Sequence, residues 1–250
     1  MELLQVLIRW VHIVAGITWI GLLYYFNWMN GHIVATMDGE TKKKVVPELM
    51  PRVLYWFRWG AAYTWITGVL LLMLVFYHGG LMFEGDQDWH AGAFVMLAVT
   101  FLGVFIYDAV FKAIKAQQPL GAIIGFALAC VAILGFVYIG HFGYRAYVIH
   151  LGALFGTCMA FNVWFRIWPA QQRIITATKN GQAPDPADPA MAGLRSKHNT
   201  YMSVPLVYAM VNAHTVTVGA NCYFWLMGAV ALGWVVVYLL YKKGAQVKGF

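Results

Sequence analysis

Seven apolar runs, at roughly 5–27, 53–77, 91–111, 119–141, 146–168, 202–219 and 222–241, alternate along the chain with more polar connections. Each is close to the ~20 residues that a helix needs to cross hydrocarbon. A chain segment in lipid has to satisfy its own backbone hydrogen bonds, so runs of this length predict helices rather than strands. The pattern predicts an all-α polytopic membrane helix bundle of about seven transmembrane helices, forming a single transmembrane domain over 1–250. Two connections are sizeable, about 28–51 and 169–200. The second opens with "AQQRIITATKN", which reads as helix, and breaks at "GQAPDPADP", where prolines and aspartates favour a turn or extended chain.

Composition agrees with the pattern. The 250 residues are 61% hydrophobic and only 11% charged, outside the range of soluble globular domains. The net charge of +7 suggests a nucleic-acid partner only until the cations are placed between the runs. Of the 17 Lys and Arg residues, Arg9 and Arg145 fall on one side and the rest on the other. That is the positive-inside distribution, so membrane lipid is the expected partner and nucleic acid is not. It sets the N-terminus outside and the C-terminus in the cytoplasm, with both sizeable connections cytoplasmic and the acidic "FEGDQDWH" outside.

The three cysteines, Cys130, Cys158 and Cys222, lie singly in or beside apolar runs and form no zinc pair, haem-attachment motif or disulfide framework. Trp and Tyr residues near the ends of runs, Trp56, Trp168 and Tyr241 among them, read as interfacial anchors. Small residues at four-residue spacing, Gly121 and Gly125, then Gly152, Gly156 and Ala160, read as close-packing faces.

Polar residues inside spans mark functional sites. The topology puts His12, His141, His150 and His214 at similar depth below the outer surface, on four helices. His78 and His90 fall at the outer rim and read as interfacial. The four imidazoles are a candidate ligand layer. Haem b needs two axial imidazoles and an apolar slot, and Gly16, Gly152 and Gly156 adjoin His12 and His150; copper needs three or four donors. Spacing leaves open one haem, two haems or a metal ion.

At the cytoplasmic end the spans contribute Asn27, Asp108, Asn162 and Arg166, followed by His198, Asn199, Thr200 and Tyr201. Asp108 is the carboxylate inside a span, with Arg166 or Arg195 as its expected partner. Two readings stay open: an ion pair with ordinary helix capping, or a pocket for a planar, hydrogen-bonding anion.

The stretches "WVHIVAGITWIGLLYYFNW" (10–28), "GHFGYRAYVIHLGALFGTCMAFNVWFRIWPAQQ" (140–172) and "RSKHNTYMSVPLVYAMVNAH" (195–214) resemble the membrane domain of the bacterial membrane-bound urate oxidases. The third, with its RSKHNTY core, is the most specific; the first is also similar to the opening helix of small membrane-type protoporphyrinogen oxidases. The resemblance implies a haem b-binding oxidoreductase in the bacterial inner membrane that takes electrons from urate or a similar small planar substrate. On it, His12, His141, His150 and His214 are haem-iron ligands, Asp108, Arg166 and His198 are catalytic, and Asn162, Asn199, Thr200 and Tyr201 bind substrate. Members of that family continue into a further span and a c-type cytochrome domain. The chain given ends at Phe250 with neither, so a separate c-type cytochrome or respiratory complex is the expected electron acceptor. The alternative is a haem-carrying electron-transfer or assembly subunit without catalysis; a copper or haem transporter is a third reading.

Overall fold

Helix α1 runs over Glu2–Thr36, α2 over Gly39–Tyr77, α3 over Ala91–Ala113, α4 over Leu120–Tyr138, α5 over Tyr144–Lys179, α6 over Ala187–Asn212 and α7 over Cys222–Gly244. This computed structural model describes residues 2–114, 120–213 and 222–247. Among them there is no β-strand, and six helices are long and apolar enough to cross a membrane. Helix α6 is less apolar over its described length because its first half carries Asp188, Arg195, Lys197 and His198.

The connection expected at 28–51 is helical almost throughout. Helix α1 continues past the end of its apolar run to Thr36, and α2 begins at Gly39, where Asp38 accepts from the amide and the hydroxyl of Thr41 at 2.9 and 2.7 Å. That bond holds the Asp38 carboxyl below its ordinary range. The first turns of α2 hold Lys42, Lys43 and Lys44, and the helix passes through Pro47 and Pro51. Hydropathy registers the solvent around a segment, and these turns are helical outside the apolar run. In the second connection α5 extends to Lys179 as expected, whereas α6 is already helical from Ala187, inside the stretch expected to be a connection, with the proline-rich turn between.

Three helices contain wide π-helical turns, at Tyr25–Asn30 in α1, Leu72–Tyr77 at the end of α2 and Val163–Ile167 in α5. Such turns occur often at functional sites.

The chain divides into two compact units, one made of Met1–Val6, Gly68–Cys158 and Met202–Val235, the other of Leu7–Thr67, Met159–Tyr201 and Val236–Phe250. In the first unit, a Cβ on Gly152 would sit 3.2 Å from the Ala209 Cβ, and one on Gly233 would meet the Pro205 ring at 3.0 Å. The small faces of α5 and α7 are thus occupied by α6. Helix α5 starts where Glu84 Oε1 accepts from the Tyr144 amide at 2.7 Å, a carboxylate on the positive end of a helix. A Cβ on residue 143 would stand 2.7 Å from Glu84 Cγ, so a side chain there would have to displace that carboxylate. In the second unit, Gly60 brings α2 against the backbone of α1, where a Cβ would be 3.3 Å from the Trp19 amide nitrogen.

Candidate functional site

In the first unit, His150 on α5 is fully buried. Its Nδ1 is 2.6 Å from the Ala146 carbonyl, which can only accept, so the proton is on Nδ1. Its Nε2 therefore carries the lone pair and accepts from the Tyr77 hydroxyl at 3.0 Å. Around the ring stand Phe76, Phe136 and Phe142, with Phe142 nearest at 4.8 Å between centroids. The wide turn that ends α2 carries Phe76 and Tyr77.

His141 lies in the same unit on a backbone at φ 49°, a left-handed conformation uncommon outside glycine, and is exposed. Its ring meets that of His90 at 5.1 Å and 60°. His90, read from sequence as an interfacial residue, has a buried Nε2 without a hydrogen-bond partner among the described residues. His78 is exposed, as expected. His214 lies outside the described residues; the chain leading to it is fixed by Arg145 Nε donating to the Ala213 carbonyl at 2.8 Å and Asn212 donating to the Tyr144 hydroxyl at 2.6 Å.

His12 belongs to the second unit. Its Nδ1 is 3.0 Å from the Thr67 hydroxyl, whose single proton is directed to the Tyr63 carbonyl at 2.6 Å. Thr67 therefore accepts and His12 Nδ1 donates, which again leaves Nε2 with the lone pair. His12 and His150 share one tautomer, fixed in each case through Nδ1. That is how proteins orient imidazoles that bind metal through Nε2. As donors they fit a haem iron. The glycine faces expected to make room for the macrocycle are used otherwise: Gly152 packs on Ala209 and Met210, Gly156 on Leu206 and Gly16 faces Thr64. No group of three or more His, Cys, Asp or Glu side chains able to hold a metal ion is found among the described residues.

The second unit also gathers most of the inner polar residues. Asn27, inside the wide turn of α1, donates to Ser196 Oγ and the Leu23 carbonyl, both at 2.8 Å, and accepts from the Tyr241 hydroxyl at 2.8 Å. One amide thereby ties α1, α6 and α7 together. The Tyr241 ring lies nearly parallel to that of Tyr201 at 6.1 Å, with Lys197 Nζ 5.6 Å away. Asn162 donates to Asn199 at 2.8 Å, and Asn199 donates to the Met159 carbonyl at 3.0 Å; both amides are fully buried. Thr200 and Arg195 are buried beside them on α6, while His198, Tyr201 and Arg166 are half-buried. Arg166 lies 5.2 Å from the Phe161 ring. Ser196 and Tyr241 were not among the residues expected here. Tyr241 is hidden in the sequence by its place at the end of a span, where a tyrosine reads as an anchor.

Asp108 falls in the first unit and pairs with Lys112, one helical turn on, at 2.9 Å. The i,i+4 spacing on one helix supplies that partner directly.

The model of the family described as urate oxidase N-terminal matches residues 1–44 and 38–248. No curated protein and no solved structure matches the chain.

Proposed function

The chain belongs to the urate oxidase N-terminal family, and from that premise we propose that it is a haem b-dependent membrane oxidoreductase that oxidises a small planar substrate such as urate. The observation that supports the haem assignment is the shared tautomer of His12 and His150, each with Nδ1 committed to a fixed acceptor and the lone pair on Nε2, which in His150 accepts from Tyr77. Each of these rings is a candidate axial ligand within its own unit; His141 and His214 complete the candidate set. When bound, haem supplies a one-electron acceptor. The protein's own part is to orient imidazoles, keep water away from His150 with Phe76, Phe136 and Phe142, and present a polar cluster for the substrate.

That cluster is assigned to Asn162, Arg166, His198, Asn199, Thr200 and Tyr201. A guanidinium and amides suit the edge of a planar anion, and the aromatic rings of Tyr201 and Tyr241 suit its face. The Asn162–Asn199 pair is best cast as a positioning element, because both amides are already bonded within the protein. Asp108 is proposed as part of the proton or charge balance of the first unit through Lys112.

The positive-inside distribution supports a membrane protein with its N-terminus outside and its C-terminus cytoplasmic. From the family we further propose a bacterial inner membrane and a c-type cytochrome or respiratory complex as electron acceptor. The second reading, a haem-carrying subunit that passes electrons without acting on substrate, is favoured by the protein-internal bonding of Asn199. Optical spectra of the purified protein separate the two. Haem bands that are reduced on adding urate support the oxidoreductase; bands that respond to dithionite alone support the carrier. A colourless protein that takes up no added haem excludes both.

A further inference from the structure

Arg58 belongs neither to the histidine layer nor to the inner polar cluster. Its guanidinium carbon stands 3.5 Å from the centroid of the Trp168 ring and 5.4 Å from that of Trp164, so the planar head is stacked on one indole and flanked by a second. Nε donates to the Leu54 carbonyl at 3.3 Å, which fixes the orientation of the head along α2. Trp164 is in turn braced edge-on by Trp59 at 5.6 Å. Trp164 lies inside the wide turn of α5, Val163–Ile167, and Trp168 directly follows it, so the turn sets the spacing at which both indoles reach Arg58. Among the described residues no carboxylate pairs with Arg58, although neighbouring cations such as Arg52 have one. Its terminal N–H groups have no hydrogen-bond partner among the described residues.

The height of this platform follows from helix rise. From Trp59 to Tyr77 no residue of α2 is charged, and such a run rises about 28 Å, the thickness of the hydrocarbon core. Helix α5 gives the same answer independently, since no Lys, Arg, Asp or Glu occurs between Arg145 and Arg166. Arg58, Arg166 and Trp168 therefore end their spans at headgroup level. Around Arg58 the exposed aromatic side chains Tyr55, Trp56, Trp59 and Phe165 suit the ester and glycerol region of lipid.

We propose that Arg58, held flat on Trp168, binds the phosphate of an anionic phospholipid. A guanidinium grips two phosphate oxygens at once along its free edge, and stacking leaves that edge open while covering its face. A zwitterionic lipid brings its own ammonium to the same phosphate, so the site favours a headgroup such as phosphatidylglycerol.

The test is native mass spectrometry of the full chain in detergent, with phosphatidylglycerol, phosphatidylcholine or inorganic phosphate added. Wild type retains phosphatidylglycerol in preference to phosphatidylcholine. Both R58Q and R58K lower that retention about tenfold, since lysine restores the charge but neither the stack nor the fork. R52Q removes an equal charge from an exposed residue and leaves retention unchanged. W168L keeps Arg58 but removes its platform; it lowers retention and decides the matter if R58Q does not fold. Wild-type retention in R58Q or W168L overturns the proposal, as does equal retention of the two lipids. Displacement of the lipid by millimolar inorganic phosphate overturns the lipid assignment in favour of a soluble anion.

Discussion

The hydroxyl of Tyr77 donates to Nε2 of His150 at 3.0 Å, across 73 residues of chain, at a ring with no exposed surface. If His150 is a haem ligand, the tyrosine holds the nitrogen that iron takes, and its removal leaves that nitrogen accessible. Tyr77→Phe is expected to retain haem and to be destabilised by about 0.6 kcal/mol, the typical value for one hydrogen bond between membrane helices. His150→Ala is expected to lose the pigment. Absorbance at the Soret band with thermal melting of both variants checks this; a Tyr77→Phe protein that loses haem along with His150→Ala contradicts it.

Thr67 sets the tautomer of His12 from a neighbouring helix. Thr67→Val keeps the shape but removes the acceptor, and partners of this kind typically change metal affinity by about 10- to 100-fold. The expected result is haem affinity reduced by at least about tenfold, with Thr67→Ser close to wild type. Titration of haem into the apoprotein measures it. Unchanged affinity in Thr67→Val removes His12 from the ligand set.

Asn199→Ala strips the buried Asn162 amide of its acceptor and frees the Met159 carbonyl. A buried polar group deprived of its partner costs about 1–3 kcal/mol. Because the two amides share one bond, the double variant with Asn162→Ala is expected to lose less than the sum of the single losses. Denaturation of all three proteins gives the cycle. If the pair positions substrate, Asn199→Ala also raises the urate concentration that half-reduces the haem, with the spectrum of the oxidised haem unchanged.

Arg173 grips Asp188 through Nε at 2.9 and 3.0 Å and through Nη2, joining the end of α5 to the start of α6 across 180–186. The guanidinium holds the carboxyl below its ordinary value of 3.8. A carboxylate with a depressed value in the folded state stabilises it above the unfolded value, and that contribution is lost as pH falls through the folded one. Hydrogen exchange at 180–188, corrected for intrinsic rate, is therefore expected to be faster in Asp188→Asn than in wild type at pH 7. The two converge as pH falls through the depressed value of the folded state.

Much of the fold was legible because lipid imposes one simple rule on long apolar runs, and six of those runs are helices of the required length. The helix starts at Gly39 and Ala187 were not, because capping by Asp38 and the polar first half of α6 leave no trace in hydropathy. In the candidate site, the resemblance of 195–201 drew attention to residues that the fold does gather, with Asn199 meeting Asn162 and Ser196 meeting Asn27. Apart from Ser196, the missing members are tyrosines. Tyr77 and Tyr241 each use a hydroxyl at a span end, and a sequence cannot distinguish that from a ring resting at the membrane surface. His90 was set aside for the same reason, and its neighbour His141 was grouped with deeper histidines although the fold leaves it exposed.

The wide turns of α1, α2 and α5 amount to one extra residue wound into an otherwise regular helix. Everything beyond such a turn is swivelled by about 100° from where an unbroken spiral would carry it. Helical wheels drawn through the whole of α5 therefore mispoint one of its ends, and an alignment with an uninterrupted counterpart needs a single-residue gap near Val163–Ile167. Excising one residue there is a small lesion for the backbone and a large one for direction, since it turns Trp168 away from Arg58 while Asn162 stays in place.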